Sequence, residues 1–235
     1  MDLTVGAAVT IITAATLVSA ARVDASLGVG TVAGSVSGRI TILERPGDRT
    51  TDLPDAVVWL EAPAAQRRPA PPMRAEIGME SKRFIPRIRV VPVGSTVEFP
   101  NLDPFRHNVF SNIGPGGFDL GLYGRGERRG ARFERPGVQP IFCNIHSRMV
   151  AYVVAVATPH FAQATPDGRF HLADVQPGRY TLRSWHERGG ETTREIEVTA
   201  SGLADVEVTL DARGYQPVPH KNKFGQAYAP GNDRY

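Results

Sequence analysis

The sequence predicts an all-β protein. Apolar runs of strand length alternate with turn-rich stretches, and 235 residues contain 24 glycines and 19 prolines. Where a run is long enough to show a period, the period is two: Tyr180 and Leu182 share one face within "RYTLRSW". No helical pattern of useful length occurs beyond the N-terminal segment. These features predict antiparallel strands in a sandwich or barrel.

Residues 1–24 come first. Leu3 to Ala21 is apolar and uncharged, and "VSA" before Ala21 suits a signal peptidase. A secretory signal normally opens with positive charge, whereas here Asp2 precedes the run and the first arginine is Arg22. The run is also long enough to stay as a membrane anchor. The segment therefore predicts export, as a cleaved signal peptide or an anchor helix, to a periplasmic or other extracytoplasmic location. With one cysteine an internal disulfide is impossible. A free thiol in an oxidising compartment must be buried or occupied.

Residues 36–62 read as two strands, around "GSVSGRITIL" and "DAVVWLEA", joined by the polar "ERPGDRTTDLP". "PAAQRRPAPPMR" (63–74) is a linker or long surface loop. Residues 75–157 hold "FIPRIRVVPVG", "STVEFPN", "HNVFS", "GARFERPG", "QPIFC" and "MVAYVVAVA", all strand-like. Residues 159–211 add "DGRFHLADV", "GRYTLRSWHE", "TREIEVTA" and "ADVEVTLDA". Residues 213–235 form a polar tail that Phe224, Tyr228 or Tyr235 could strap down. The net charge of +3 is small and its arginines are scattered. The densest basic run, "RGERRGAR" (125–132), contains Glu127 and no aromatic residue, so nucleic-acid binding has little support.

Chemistry concentrates in "CNIHSRM", where Cys143, His146 and Met149 follow at three-residue intervals. Cu(II) and Cu(I) prefer different geometries, and a thiolate with two imidazoles in a plane and a weak thioether above suits both. A tight turn between two strands lets the three side chains point to one side. The second imidazole must come from elsewhere, and His107 in "EFPNLDPFRHNVFSN" is the candidate. Asn108 can hold the ligand loop or bond the cysteine sulfur through its side chain or backbone N–H. Phe110 and Phe142 would help exclude water. Each residue alone has a plainer reading: a buried thiol, a turn histidine, a core methionine. The four types together favour a metal site. His160, His171 and His220 read as surface groups, and His186 as a cap or a group facing the copper domain. Asp103 and Asp119 read as turn residues or as acceptors for the site's hydrogen bonds. There is no H-x-H pair and no Ser-His-Asp spacing, which argues for a binding protein rather than an enzyme.

"VEFPN.D....HNVFS" followed by "PG......C..H..M" resembles the cupredoxin family, the plastocyanin-like blue copper proteins. It is most similar to those of bacterial methylamine-utilisation type. The resemblance covers roughly residues 75–157 and implies a Greek-key cupredoxin sandwich holding one copper per chain. It implies His107, Cys143 and His146 as equatorial ligands and Met149 as the axial one. The two-residue gap between His146 and Met149 is shorter than in plastocyanin-type loops. That spacing resembles a dinuclear copper loop, but such a loop needs two cysteines. The flanking strands resemble the halves of a carboxypeptidase-regulatory-like, transthyretin-like β-sandwich. The copper domain would then be inserted between them. Alternatively, residues 36–62 open the cupredoxin itself and 159–211 are an appendage. Pairing of Ile40 or Val58 with Tyr180–Trp185 marks the first arrangement, and pairing with Val97–Phe99 the second.

The implied function is one-electron transfer between redox partner proteins by a monomer, the partner docking near His146. Any membrane contact would come through the N-terminal segment alone. The rivals are a non-redox copper binding or delivery protein and a structural β protein without metal.

Overall fold

The computed structural model describes residues 33–112, 114 and 116–229, together with Met1. The signal or anchor expected in residues 1–24 and the side chain of Tyr235 lie outside the described residues. Among the described residues no helix is long and apolar enough to cross a membrane.

The architecture is all-β, as expected. Strands β1 (Gly34–Leu43) and β2 (Val57–Glu61) open the chain. A block of short strands follows: β3 (Arg74–Glu76), β4 (Gly78–Glu80), β5 (Arg83–Ile85), β6 (Ile88–Pro92), β7 (Ser95–Pro100) and β8 (His107–Ser111). It continues with β9 (Phe118–Tyr123), β10 (Arg128–Phe133), β11 (Gly137–Phe142) and β12 (Val150–Val156). The chain then forms β13 (Phe161–Gln163), β14 (Arg169–Val175), β15 (Gly178–His186), β16 (Gly190–Val198) and β17 (Leu203–Asp211).

One sheet has the order β14-β1-β17 and a second the order β13-β2-β15-β16. Their facing sides enclose a core that includes Ile40, Val58, Leu60, Leu172, Tyr180 and Leu210. A third sheet, β6-β12-β11-β8-β9, and a fourth, β10-β7-β3, enclose a separate core with Phe99, Val109, Ile141, Cys143, Met149 and Val153. Val58 lies opposite Ser184, and Val57 opposite Trp185. Strand β7, with Val97–Phe99, pairs instead with β10 and β3. Thus β1 and β2 share their sheets with β13–β17, and the chain leaves that pair of sheets and returns to it.

A third cluster joins the two pairs of sheets. Val57, Trp59 and Trp185 pack on Ile88, Val90, Val154 and Val156. Each such large side chain contributes about 1.5–3 kcal/mol of burial. The join accounts for the unbroken apolar runs "AVVWL" and "VVAV". Along β2, Val58 and Leu60 enter one core while Val57 and Trp59 enter the joining cluster. Along β12, Ala151, Val153 and Ala155 face the core with Cys143, while Val154 and Val156 face the join. A strand covered on both faces has no reason to alternate with polar residues.

Polar contacts reinforce the join. The Arg87 guanidinium donates to Glu187 at 2.8 Å, and the Tyr152 hydroxyl donates to the same carboxylate at 3.0 Å. Within the pair of sheets formed by β1, β2 and β13–β17, Arg188 grips both Glu44 and Asp52.

Candidate metal centre

His107 is the first residue of β8 and Cys143 directly follows β11, adjacent strands of one sheet. Pairing of Phe142 with Phe110 sets their register. Alternation along the strands turns His107 and Val109, and likewise Ile141 and Cys143, towards the core. After Cys143 the chain bends back into β12. Met149 donates its N–H to the His146 carbonyl at 3.1 Å, and Cys143 donates to the Met149 carbonyl at 3.3 Å. This closed bend carries His146 back over Cys143.

Three donor atoms converge. The Cys143 Sγ lies 3.7 Å from His107 Nδ1 and 3.6 Å from His146 Nδ1, and all three ligand atoms fall within 4.8 Å of one another. Metal–sulfur and metal–nitrogen bonds of about 2.3 and about 2.0 Å allow one ion to touch donors so spaced. All three residues are buried. Met149 is fully buried in the same apolar cluster as Cys143.

The surroundings set the state of the His107 ring and bear on that of the sulfur. Asp103 Oδ2 lies 2.8 Å from His107 Nε2 and accepts the Lys82 N–H at 2.9 Å, while Oδ1 accepts the Ser81 N–H at 2.7 Å. Burial pushes the Asp103 carboxyl up, but the Lys82 N–H, the His107 ring and the Ser81 N–H together hold it below its usual value. Burial pulls His107 down against the upward pull of Asp103. The neutral ring then donates Nε2–H to the carboxylate, which leaves the Nδ1 lone pair facing the sulfur. Burial holds the Cys143 thiol above its usual value, and the N–H groups of Ile145, Asn108 and His146 offset only part of that push. Those N–H groups are aimed at charge on the sulfur, the state in which a thiol binds metal.

Several expectations need correction. Phe110 and Phe142 contact each other at 5.7 Å between centroids, but they stand on the face opposite Cys143. The shielding ring is Phe105, half-buried, 5.2 Å from the His107 ring and 5.7 Å from the His146 ring. Of the two modes expected for Asn108, it is the backbone N–H that reaches the sulfur, while the side-chain amide donates to Asp119 at 2.7 Å. His146 is only 3% exposed, so it presents no open edge to a docking protein. His220, expected at the surface, stacks on Phe142 at 4.3 Å and 21°. His160 is half-buried, its Nδ1 lying 3.2 Å from the Ala173 carbonyl, whereas His171 is exposed. His186 is buried away from the donors, its Nδ1 accepting the Arg188 N–H at 3.2 Å. Of the proposed tail anchors, Tyr228 makes contact with the site and Phe224 is 71% exposed.

Sequence reasoning missed Asn101 and Phe105. The buried Asn101 amide donates to the Phe105 carbonyl at 2.8 Å, and its Oδ1 accepts the Asp103 N–H at 3.0 Å. It thereby folds the loop that delivers Phe105 and Asp103 to His107. The signal was the Asn-x-Asp-Pro turn chemistry of "NLDP".

No family model and no curated protein matches the chain. Among solved structures, it is similar to a copper-containing nitrite reductase from Thermus scotoductus, with 30% identity over 39% of this chain and a TM-score of 0.34. This chain covers 25% of that protein's length. A purple cupredoxin from Nitrosopumilus maritimus matches at 26% identity, over 35% of this chain and 99% of its own, with a TM-score of 0.32. Amicyanin from Paracoccus versutus matches at 19% identity, over 41% and 97%, with a TM-score of 0.33.

Proposed function

We propose that this chain is an exported mononuclear copper protein that passes single electrons between redox partners. His107, Cys143 and His146 hold the metal, with Met149 as the weak fourth donor. The supporting observation is the buried set of one thiol and two imidazole Nδ1 atoms within 4.8 Å. A soft sulfur with two imidazoles fits copper, and the arrangement suits both of its oxidation states. Bound there, copper supplies one-electron transfer by alternating between Cu(II) and Cu(I).

The chain's residues do the rest. Asp103 fixes the orientation and tautomer of His107. The three backbone N–H groups around Cys143 favour the thiolate. Phe105 and the surrounding core keep water from the donors. Burial of every donor leaves no open edge for a substrate, which favours a carrier over an enzyme. Phe105, touching both rings and partly exposed, is the natural exit for an electron towards a partner docking near His146. A buried single thiol also suits an oxidising compartment.

The same reading takes 36–62 and 159–211 as halves of one outer β domain, with 75–157 inserted. The pairing of Val58 with Ser184 supports it.

Adding Cu(II) to the purified full chain should produce an intense visible thiolate-to-copper band that disappears in Cys143→Ser. A colourless wild-type protein overturns the proposal. Reversible voltammetry without metal loss distinguishes a carrier from a delivery protein, which would release Cu(I).

A further inference from the structure

The described end of the chain, residues 213–229, runs from the outer β-sandwich to the metal centre. At its start the Arg45 guanidinium donates to the carbonyls of Arg213 and Tyr215, each at 2.7 Å. At its far end it meets the ligand loop. The Tyr228 hydroxyl donates to the Cys143 carbonyl at 2.7 Å, and the Lys223 N–H donates to Asn144 Oδ1 at 2.9 Å. The Lys223 ammonium pairs with Asp119 at 2.7 Å, and Asp119 accepts from the side chain of Asn108, the neighbour of His107. The His220 ring covers Phe142, and its Nδ1 lies 3.2 Å from the Tyr228 hydroxyl.

These contacts are prepared locally. Asn222 folds a tight turn in which its Oδ1 accepts the N–H groups of Phe224 and Gln226, both at 3.0 Å. Gly225 sits at φ 77°, a conformation that costs glycine little. The turn presents the Lys223 N–H to Asn144.

We propose that this tail is a clasp belonging to the metal centre, with Tyr228 and Lys223 as positioning residues that hold the Cys143–Met149 loop closed. Because the donors are buried, metal can enter or leave only when that loop opens. The clasp lowers the population of the open loop. It makes the site retain its metal through redox cycles rather than hand it on. The copper part of this inference rests on the function proposed above; the loop-closing part does not.

The test uses the full chain and two readouts. Cys143 is the only cysteine, so its reaction with a thiol reagent in metal-free protein reports loop opening directly. Transfer of copper from loaded protein to excess chelator reports metal retention. Losing one hydrogen bond shifts an opening equilibrium by about fivefold, so Tyr228→Phe should speed both reactions about that much. Tyr228→Phe combined with Lys223→Ala, which removes the ion pair with Asp119 but keeps the Lys223 N–H, should speed them by on the order of tenfold. Lys223→Arg, which can keep the pair with Asp119, should stay near wild type. Val218→Ala, at a position 85% exposed, serves as a tail control and should change nothing. Wild-type rates in the double variant overturn the clasp. So does an acceleration matched by Val218→Ala or one that tracks a loss of global stability. If the visible band never forms, the thiol reaction still decides the clasp; if it forms while rates stay fixed, only the clasp fails.

Discussion

Two buried histidines, His107 and His186, each lie beside a carboxylate, but their surroundings give them opposite uses. His107 donates to Asp103, so its other nitrogen faces a thiol and a second imidazole. His186 spends its Nδ1 on the Arg188 N–H, while its Nε2 lies 3.5 Å from Asp52. The Arg188 guanidinium binds both Glu44 and Asp52, so the carboxylates near this ring already have a cation. Burial pulls both rings below their ordinary values. Burial of a histidine therefore does not mark a ligand. What marks one is a lone pair left unused by the rest of the fold and aimed at a soft donor.

The largest effect should come from exchanging the two histidines' fates. His107→Gln should abolish tight copper binding, measured by titration against a chelator of known affinity. His186→Gln should leave that binding unchanged. Equal losses in both variants would erase the distinction.

Arg188→Ala should expose the other half of the comparison. It strands Glu44 and Asp52, whose side chains are 11% and 30% exposed, without their partner. After allowance for partial solvent exposure, about 2 kcal/mol of stability should be lost. Urea unfolding measures that loss, and the visible copper band should keep its position.

Asp103→Asn should act more gently, and chiefly on the metal centre. The amide still fills the space but cannot hold His107 as an ionised acceptor does. Copper affinity should fall by about tenfold, with the three donors still in place.

The smallest effect is on acid stability. Hydrogen bonding from Arg188 holds Glu44 below its usual value. Asp52 and Asp103 are also lowered, their charged and N–H partners overcoming the upward push of burial. The unfolded chain therefore takes up protons first as pH falls. Metal-free protein should begin to lose stability below about pH 6.5, where the unfolded chain protonates histidines that burial holds below their ordinary values, and should lose more below about pH 4 as the carboxylates protonate. Asp103→Asn should make that decline shallower, as read from urea midpoints across the range.

Much of this was legible in residue order. Short runs between glycine and proline turns announced strands, and the spacing of "CNIHSRM" announced a compact donor loop. The continuous apolar stretches of β2 and β12 were legible as strands, but not their reason. A run buried on both faces looks the same whichever layers cover it. Strand β9 escaped notice because its glycine, Gly121, and half-exposed residues lack a strong period. Phe105 and Asn101 sat in what read as a loop, where function depends on turn geometry rather than on composition.

By itself the sequence determined the chemistry available: one thiol, a loop histidine and methionine near it, and a distant histidine in a strand. Residue type and spacing fix donor softness and local reach, so those properties survive without any fold. Only the tertiary structure decided which histidine meets the sulfur, which ring shields it, and that the polar tail closes over the loop. Those outcomes depend on pairing between segments far apart in the chain, where register and packing, not local propensity, choose the neighbours.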